Sequence, residues 1–380
     1  MNPGTRFDDA VVGAGILGLA HAYHLARRGR NVVVFERRAR AEAALVPDLG
    51  TLWPIGQPTG PLRRMALRSR EVWLEVLGVS GLGHERTGSL HLAYRDDEAA
   101  VLREFADRAS GEGFRCEMLG PEDVLKRSPV VRPGGLLAGL HSHWEVCLDP
   151  GEVLAGLPVW LAGERGVHFE FGRRVVGFEA PGVRTRDGDW SAERLWVCDD
   201  DELGMLYPEA ADRLGLLPGL LRVLRMAPPP DGFRAGPILA GGATLGLCPA
   251  FRDCPGLPVL RARVARESPE LDRHGIDALT AHDARGGLTI GATHRDSDPG
   301  PPRHADEIDR ILLQHASTFL DAVPEVRSRR WQSQAANPEA PYCLVRPEPL
   351  VAAVAGIGGA GMTLSFGLAE VVVNHVLGGD

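Results

Sequence analysis

The chain has 380 residues, of which 44% are hydrophobic, 24% charged and 6% aromatic. That balance excludes a disordered, collagen-like or coiled-coil chain and, at roughly 150 residues per domain, leaves room for two or three domains. Forty-two Lys and Arg against 50 Asp and Glu give a formal charge of -8, so no general attraction to nucleic acid or anionic lipid is expected.

Residues 7–12 form a short apolar run ending at Gly13, and residues 16–28 have helical character until Gly29 stops them. The apolar run of residues 10–22 ends in Ala20-His21-Ala22, which superficially mimics a signal-peptide cleavage site. Only Arg6 and the acidic pair Asp8-Asp9 stand before it, so secretion is not expected. Residues 31–35 are a continuous β-branched run of the kind buried on both faces of a parallel sheet. Strand, helix and strand in about thirty residues make a βαβ unit.

An irregular Pro- and Gly-rich stretch (46–60) precedes an expected helix at 63–77, a strand at 88–94 and an amphipathic helix at 96–110. Short strands fill 136–148, and Pro150-Gly151-Glu152 opens a helix that ends near Gly163. The runs 167–171, 174–178, 182–185 and 195–198 read as strands closing back on the first unit. Residues 216–290 are Pro-rich with isolated strand-like runs such as Leu288-Thr289-Ile290. A long helix is expected at 306–321, strands at 329–334, 342–345 and 350–354, and a last helix at 361–377.

Residues 350–369 carry no charge and are long enough to cross a bilayer. Gly356, Gly358, Gly359 and Gly361 break them into a strand, a tight loop and a helix start, so no membrane span is expected. The six cysteines (Cys116, Cys147, Cys198, Cys248, Cys254 and Cys343) contain no CxxC pair, the usage expected of a reduced, cytoplasmic chain.

Gly13-Ala14-Gly15-Ile16-Leu17-Gly18 matches GxGxxG between a predicted strand and a predicted helix. The first Gly permits the tight turn, the second lets a pyrophosphate approach the backbone, and the third lets helix and strand pack closely. Glu36, at the end of the next strand and 18 residues after Gly18, is placed to accept hydrogen bonds from both ribose hydroxyls. The motif alone leaves NAD and FAD open. A second glycine-rich turn, Gly358-Gly359-Ala360-Gly361-Met362-Thr363, runs into the last helix; a positive helix end there suits negative charge on a reduced flavin ring.

These strings, with Leu148-Asp149-Pro150 opening a helix, resemble the D-amino acid oxidase and glycine oxidase superfamily of FAD-dependent enzymes. Leu52-Trp53-Pro54-Ile55-Gly56-Gln57, Arg68-Ser69-Arg70, Leu288-Thr289-Ile290-Gly291 and Met362-Thr363-Leu364-Ser365-Phe366-Gly367 further resemble a subgroup associated with aminophosphonate catabolism. The resemblance implies an α/β fold: a Rossmann-like FAD-binding domain (1–85, 145–205 and 323–380) interleaved with an α+β substrate domain on a mostly antiparallel sheet (86–144 and 206–322). It also implies FAD contacts from Gly13, Ala14, Gly15, Ile16, Leu17, Gly18, Glu36, Arg37, Gly50, Thr51, Leu52, Val175, Gly358, Gly359, Ala360, Gly361, Met362 and Thr363. The implied chemistry is oxidation of a small amine at the carbon next to nitrogen, followed by imine hydrolysis and reoxidation of the flavin by oxygen or another acceptor.

The chain departs from the family pattern near the cofactor. Where the subgroup carries Ser-x-Arg-Asn-Phe before Gly50, this chain reads Leu45-Val46-Pro47-Asp48-Leu49, and Asp199-Asp200 replace Ala-Gly after the strand at 195–198. A flavin-poor binding protein and a flavin-dependent 2-hydroxy acid oxidoreductase therefore stand as alternatives. Trp53, Gln57, His294, Tyr342 and Arg346 are the candidates for the substrate pocket, Arg346 for an anionic tail. Arg63, Arg64, Arg68 and Arg70, followed by Glu71 and Glu75, suggest surface ion pairs. His141 and His143 have the spacing of ligands on a strand, but no neighbouring Cys or carboxylate cluster completes a site, so no metal is expected.

Overall fold

The computed structural model describes residues 6–40, 49–227, 236–282, 287–293, 305–337 and 340–378. The chain opens with β1 (Arg6–Val12), α1 (Ile16–Arg27) and β2 (Val32–Glu36). β3 (Thr51–Leu52) and a 3-10 turn (Pro54–Gly56) lead into α2 (Pro61–Ser80), β4 (His84–Glu85), β5 (Ser89–Ala93) and α3 (Asp96–Gly111). Next come β6 (Cys116–Leu119), α4 (Pro121–Arg127), β7 (Ala138–Ser142), β8 (Val146–Leu148) and α5 (Pro150–Arg165). β9 (His168–Phe171), β10 (Val175–Glu179), β11 (Gly182–Thr185) and β12 (Gly188–Val197) precede α6 (Asp200–Leu206) and α7 (Pro208–Leu214). The remainder is β13 (Leu217–Met226), β14 (Ile238–Gly241), α8 (Leu257–Glu267), α9 (Pro269–Arg273), β15 (Ile276–His282), β16 (Leu288–Thr293), α10 (Ala305–Ala316), β17 (Val326–Ala336), β18 (Cys343–Val345), β19 (Val351–Ala355) and α11 (Gly361–Gly378).

Five strands run parallel in the order β9-β2-β1-β12-β19, with β18 antiparallel on β19 and the β10-β11 hairpin on the first half of β12. The β-branched run of β2 is buried throughout because both faces are covered. Val32 and Val34 face a core shared with α1, α2, α5 and α11, while Val33 and Phe35 face one shared with β10, β11 and α6. The apolar stretch flagged as long enough for a bilayer becomes β19, a turn and α11, whose residues from Met362 to Ala369 are buried against α1 and α2.

A second sheet of eight strands, β17-β13-β16-β15-β14-β5-β7-β6, is antiparallel except where β14 runs beside β5. α3 and α8 pack on one face, and α4, α9 and α10 on the other. A small sheet, β3-β8-β4, brings together residues 51–52, 84–85 and 146–148. The α/β fold expected from the sequence is therefore present, with a Rossmann-like parallel sheet and a mostly antiparallel partner.

Two expectations need correction. β17 pairs along its length with β13, so the chain returns to the first sheet after Ala336 and not at residue 323. The region 216–290, read as isolated strands, also holds α8 and α9. Residues 200–214, to which the sequence reading assigns nothing, form α6 and α7, opened by Asp199 as N-cap and Pro208 at a first turn.

Candidate functional site

Strands β1, β2, β12 and β19 all end at the same edge of the parallel sheet, the edge where open α/β sheets bind ligands. The three glycines of the first turn each have a distinct reason to be there. Gly13 adopts φ +101°, and a Cβ on it would lie 3.1 Å from the Asp199 Cβ. A Cβ on Gly18 would come within 1.9 Å of the Gly13 carbonyl oxygen. A Cβ on Gly15 would meet nothing within 4 Å, so that face of the turn is open where a diphosphate would approach. Gly15 is the N-cap of α1, and no side chain caps the helix, which leaves its first amides free for an anion.

Glu36 is 8% exposed at the end of β2 and faces this turn. Its Oε2 accepts from the Ala14 N–H and its Oε1 from the Arg38 N–H, each at 3.0 Å. An open, uncapped turn with a fixed carboxylate beside it suits a nucleotide diphosphate and its ribose, so the residues present fit the dinucleotide that the motif implies. Glu36, Arg37 and Val175 also stand together in a shallow surface groove next to Gly13.

The acids after β12 do not simply turn to solvent. Asp199 accepts the Glu202 N–H as N-cap of α6 and lies 3.9 Å from Arg37. Arg37 also pairs with Asp201 at 2.8 Å and Glu202 at 2.9 Å, and Arg174 reaches Glu202 at 3.1 Å. Asp200 accepts the Gly356 N–H at 2.9 Å and so ties α6 to the second glycine-rich turn. Burial, reinforced by Asp199 and Asp201 and opposed by that N–H, pushes the Asp200 carboxyl up to about 6.

The two glycine-rich turns meet. A Cβ on Gly361, at the start of α11, would lie 3.7 Å from the Ile16 side chain. Two residues on, Thr363 Oγ1 accepts the Trp53 N–H at 3.0 Å, which fastens the irregular loop after β3 to the same place. Gly50, at φ +69°, must be glycine because a Cβ would strike the Leu148 carbonyl oxygen at 2.1 Å. Thr51 and Leu52 are buried in the strand that leads to Trp53. The 3-10 turn after Trp53 is held from below by the fully buried Glu145, whose Oε1 accepts the Ile55 N–H at 3.1 Å and whose Oε2 accepts from Ser89 Oγ at 3.1 Å. Burial raises the Glu145 carboxyl above the usual range. Gly56 follows because a Cβ would fall 2.0 Å from the Trp53 ring.

Most expected site residues thus converge, but not all. Gln57 closes the 3-10 turn with its N–H on the Pro54 carbonyl. Tyr342 sits half-buried just before β18, at the end of that strand paired with Ala355 and so near the second turn. Arg346 does not belong with them. β18 runs antiparallel to β19 with Cys343 opposite Ala355 and Val345 opposite Ala353, so the chain carries Arg346 back from the ligand edge, where it is exposed. His294, Leu45, Pro47 and Asp48 lie outside the described residues.

The basic segment of α2 also differs from expectation. Arg68 does pair with Glu71 at 3.0 Å, and with Glu370 at 2.6 Å. Arg63, however, is 4% exposed, stacks 4.9 Å from the Phe114 ring and donates from Nε to the Gln57 carbonyl at 3.1 Å. Glu145 and Arg63 are the supports that sequence reasoning missed. An isolated acid and one member of an Arg run carry no local signal of burial.

Residues 8–375 match the family described as DAO, FAD dependent oxidoreductase. Mouse mitochondrial pyruvate dehydrogenase phosphatase regulatory subunit is 23% identical over 159 residues, 41% of this chain and 18% of that protein. Human mitochondrial dimethylglycine dehydrogenase is 23% identical over 192 residues, 50% of this chain and 21% of that protein. The chain therefore spans about a fifth of the length of these two relatives. Among solved structures, L-proline dehydrogenase from P. horikoshii superposes with a TM-score of 0.77 at 18% identity, covering 99% of this chain and 94% of that one.

Proposed function

We propose that this chain, which belongs to the family of FAD-dependent oxidoreductases, oxidises a small amine at the carbon next to nitrogen. In this reading the amides of the turn from Gly13 to Gly18 hold the diphosphate, and Glu36 accepts the ribose hydroxyls. Arg37 offsets the charge of Asp199 beside them. The loop of Gly50, Thr51 and Leu52 and the turn from Gly358 to Thr363 hold the redox ring. Bound FAD supplies the two-electron acceptor for the hydride that leaves the substrate carbon.

The chain's own task is then positioning. Trp53, Gln57 and Tyr342 would hold the neutral amine with its C–H directed at the ring and exclude water from that contact. The substrate imine formed in this way hydrolyses to a carbonyl compound and a smaller amine or ammonia. The observation that carries the reading is the Trp53 N–H to Thr363 Oγ1 bond, which fixes the loop expected to face the substrate to the helix start beside the dinucleotide turn. Dimethylglycine dehydrogenase and L-proline dehydrogenase, both similar to this chain, act by name on secondary or tertiary amines that carry a carboxylate. A carboxylate or phosphonate tail is accordingly part of the proposal, as the resemblance to the aminophosphonate subgroup also suggests.

Turnover of the FAD-loaded chain with a dye or oxygen as acceptor tests this. The panel is glycine, N-methylglycine, N,N-dimethylglycine, proline and 2-aminoethylphosphonate, set against 2-hydroxy acids. Turnover with at least one amine and release of a carbonyl product is expected. Turnover confined to the 2-hydroxy acids would overturn the proposal.

A further inference from the structure

At the edge of the second sheet, Glu117 on β6 stands directly opposite His141 on β7 in the antiparallel register. His143 follows His141 by two residues, so all three side chains lie to one side of the sheet. Glu117 Oε1 is 3.4 Å from His141 Nδ1 and 3.5 Å from His143 Nε2. The two imidazoles meet edge to face with centroids 4.3 Å apart, and one donor atom from each of the three residues lies within 4.8 Å of the others. Donors held about 2.0–2.1 Å from a tetrahedral metal ion sit about 3.4 Å from one another, so both carboxylate-to-imidazole separations already have the length of a tetrahedral edge. His141 is 5% exposed, and its Nδ1 has no hydrogen-bond partner.

We propose that Glu117, His141 and His143 bind one divalent transition-metal ion of the zinc type. Two imidazoles and one carboxylate suit zinc, cobalt or nickel, whereas calcium and magnesium prefer sites built of oxygen donors. The side chains of Glu117 and His143 are 44% and 51% exposed, which gives the ion a path in and leaves a fourth position to water. Arg127, on the last turn of α4, is the competitor: its Nη2 lies 2.6 Å from the same Glu117 oxygen. Its side chain is 38% exposed and free to swing into solvent when an ion takes its place. A bound ion would pin the edge strand β6 to β7 in the second sheet, whereas the dinucleotide turn belongs to the first, and it takes no part in amine oxidation.

The test uses the untagged, FAD-loaded chain after treatment with a chelator, titrated with Co²⁺ and then Zn²⁺. One equivalent of each is expected to bind, with Zn²⁺ displacing Co²⁺. His143→Ala, at a half-exposed position just past the end of β7, should weaken the affinity at least about a hundredfold, and Glu117→Gln should weaken it as well. Circular dichroism and flavin content of both variants should match wild type. A wild-type chain that takes up neither ion stoichiometrically, or a His143→Ala chain that binds as tightly as wild type, would overturn the proposal.

Discussion

Asp199 sets a carboxylate beside the turn that would receive a diphosphate, and Arg37 stands 3.9 Å away. Two like charges about 5 Å apart at an effective dielectric near 20 repel by about 3 kcal/mol, so the acid matters to cofactor affinity unless it is offset. Arg37 supplies the offset but divides it among Asp199, Asp201 and Glu202. Asp199→Asn keeps an acceptor for the α6 cap while removing the charge, and should tighten FAD binding about tenfold, worth roughly 1.4 kcal/mol. Arg37→Ala should loosen it by a comparable factor. Fluorescence titration of the apoprotein with FAD measures both, and equal affinities in all three proteins would remove this cluster from the account.

One residue further on, Asp200 has a folded-state carboxyl raised from 3.8 to about 6. Between those values the folded chain binds more protons than the unfolded one. Stability therefore falls as pH rises through this window, by up to about 3 kcal/mol once the group is ionised. Asp200→Asn should be more stable than wild type at pH 7.5, with the gain gone below about pH 4. Urea midpoints at the two pH values read this directly, and a gain that persists at the lower pH would contradict it.

In the proposed mechanism the turn after Trp53 positions the substrate, and three side chains anchor it: Thr363 accepts the Trp53 N–H, Glu145 accepts the Ile55 N–H, and Arg63 donates to the Gln57 carbonyl. Glu145→Ala leaves the Ile55 N–H without its acceptor and should destabilise the chain by about 1–3 kcal/mol. Because Glu145 does not touch the dinucleotide turn, the variant should keep its FAD while KM for the amine rises several-fold. Unchanged KM with unchanged stability would show that the turn holds itself. At this scale the sequence is legible where one local rule dominates. The strand β2 reads directly from its β-branched run, and α1 from the spacing of its glycines. α5 announces itself by Asp149 and Pro150, and the same kind of cap, Asp199 with Glu202 three residues on, marks α6 once it is looked for. α8 and α9 are harder, because short helices inside a Pro-rich stretch carry too little periodicity to stand out.

At the level of the whole molecule, the interleaving of two sheets follows from strands scattered along the chain, but strand partners do not. β17 reads equally well as a strand of either sheet, and only its pairing with β13 settles the matter. The same holds for Arg346 and Glu117. Arg346 looks close to the second glycine turn in sequence, yet strand direction carries it away from the ligand edge. Glu117 lies 24 residues from His141, yet register sets them side by side. Local motifs thus point to the cofactor half of the proposed site, and long-range pairing decides the rest.

The central claim is that the turn from Gly13 to Gly18, with Glu36, holds FAD so that its ring meets a small amine beside Thr363. The most direct test is the visible spectrum of the FAD-loaded chain as the amine panel is added without oxygen. The account predicts one FAD per chain and loss of the oxidised flavin bands with at least one amine. A chain that stays colourless after incubation with FAD, or a flavin spectrum that no amine in the panel changes, would contradict it.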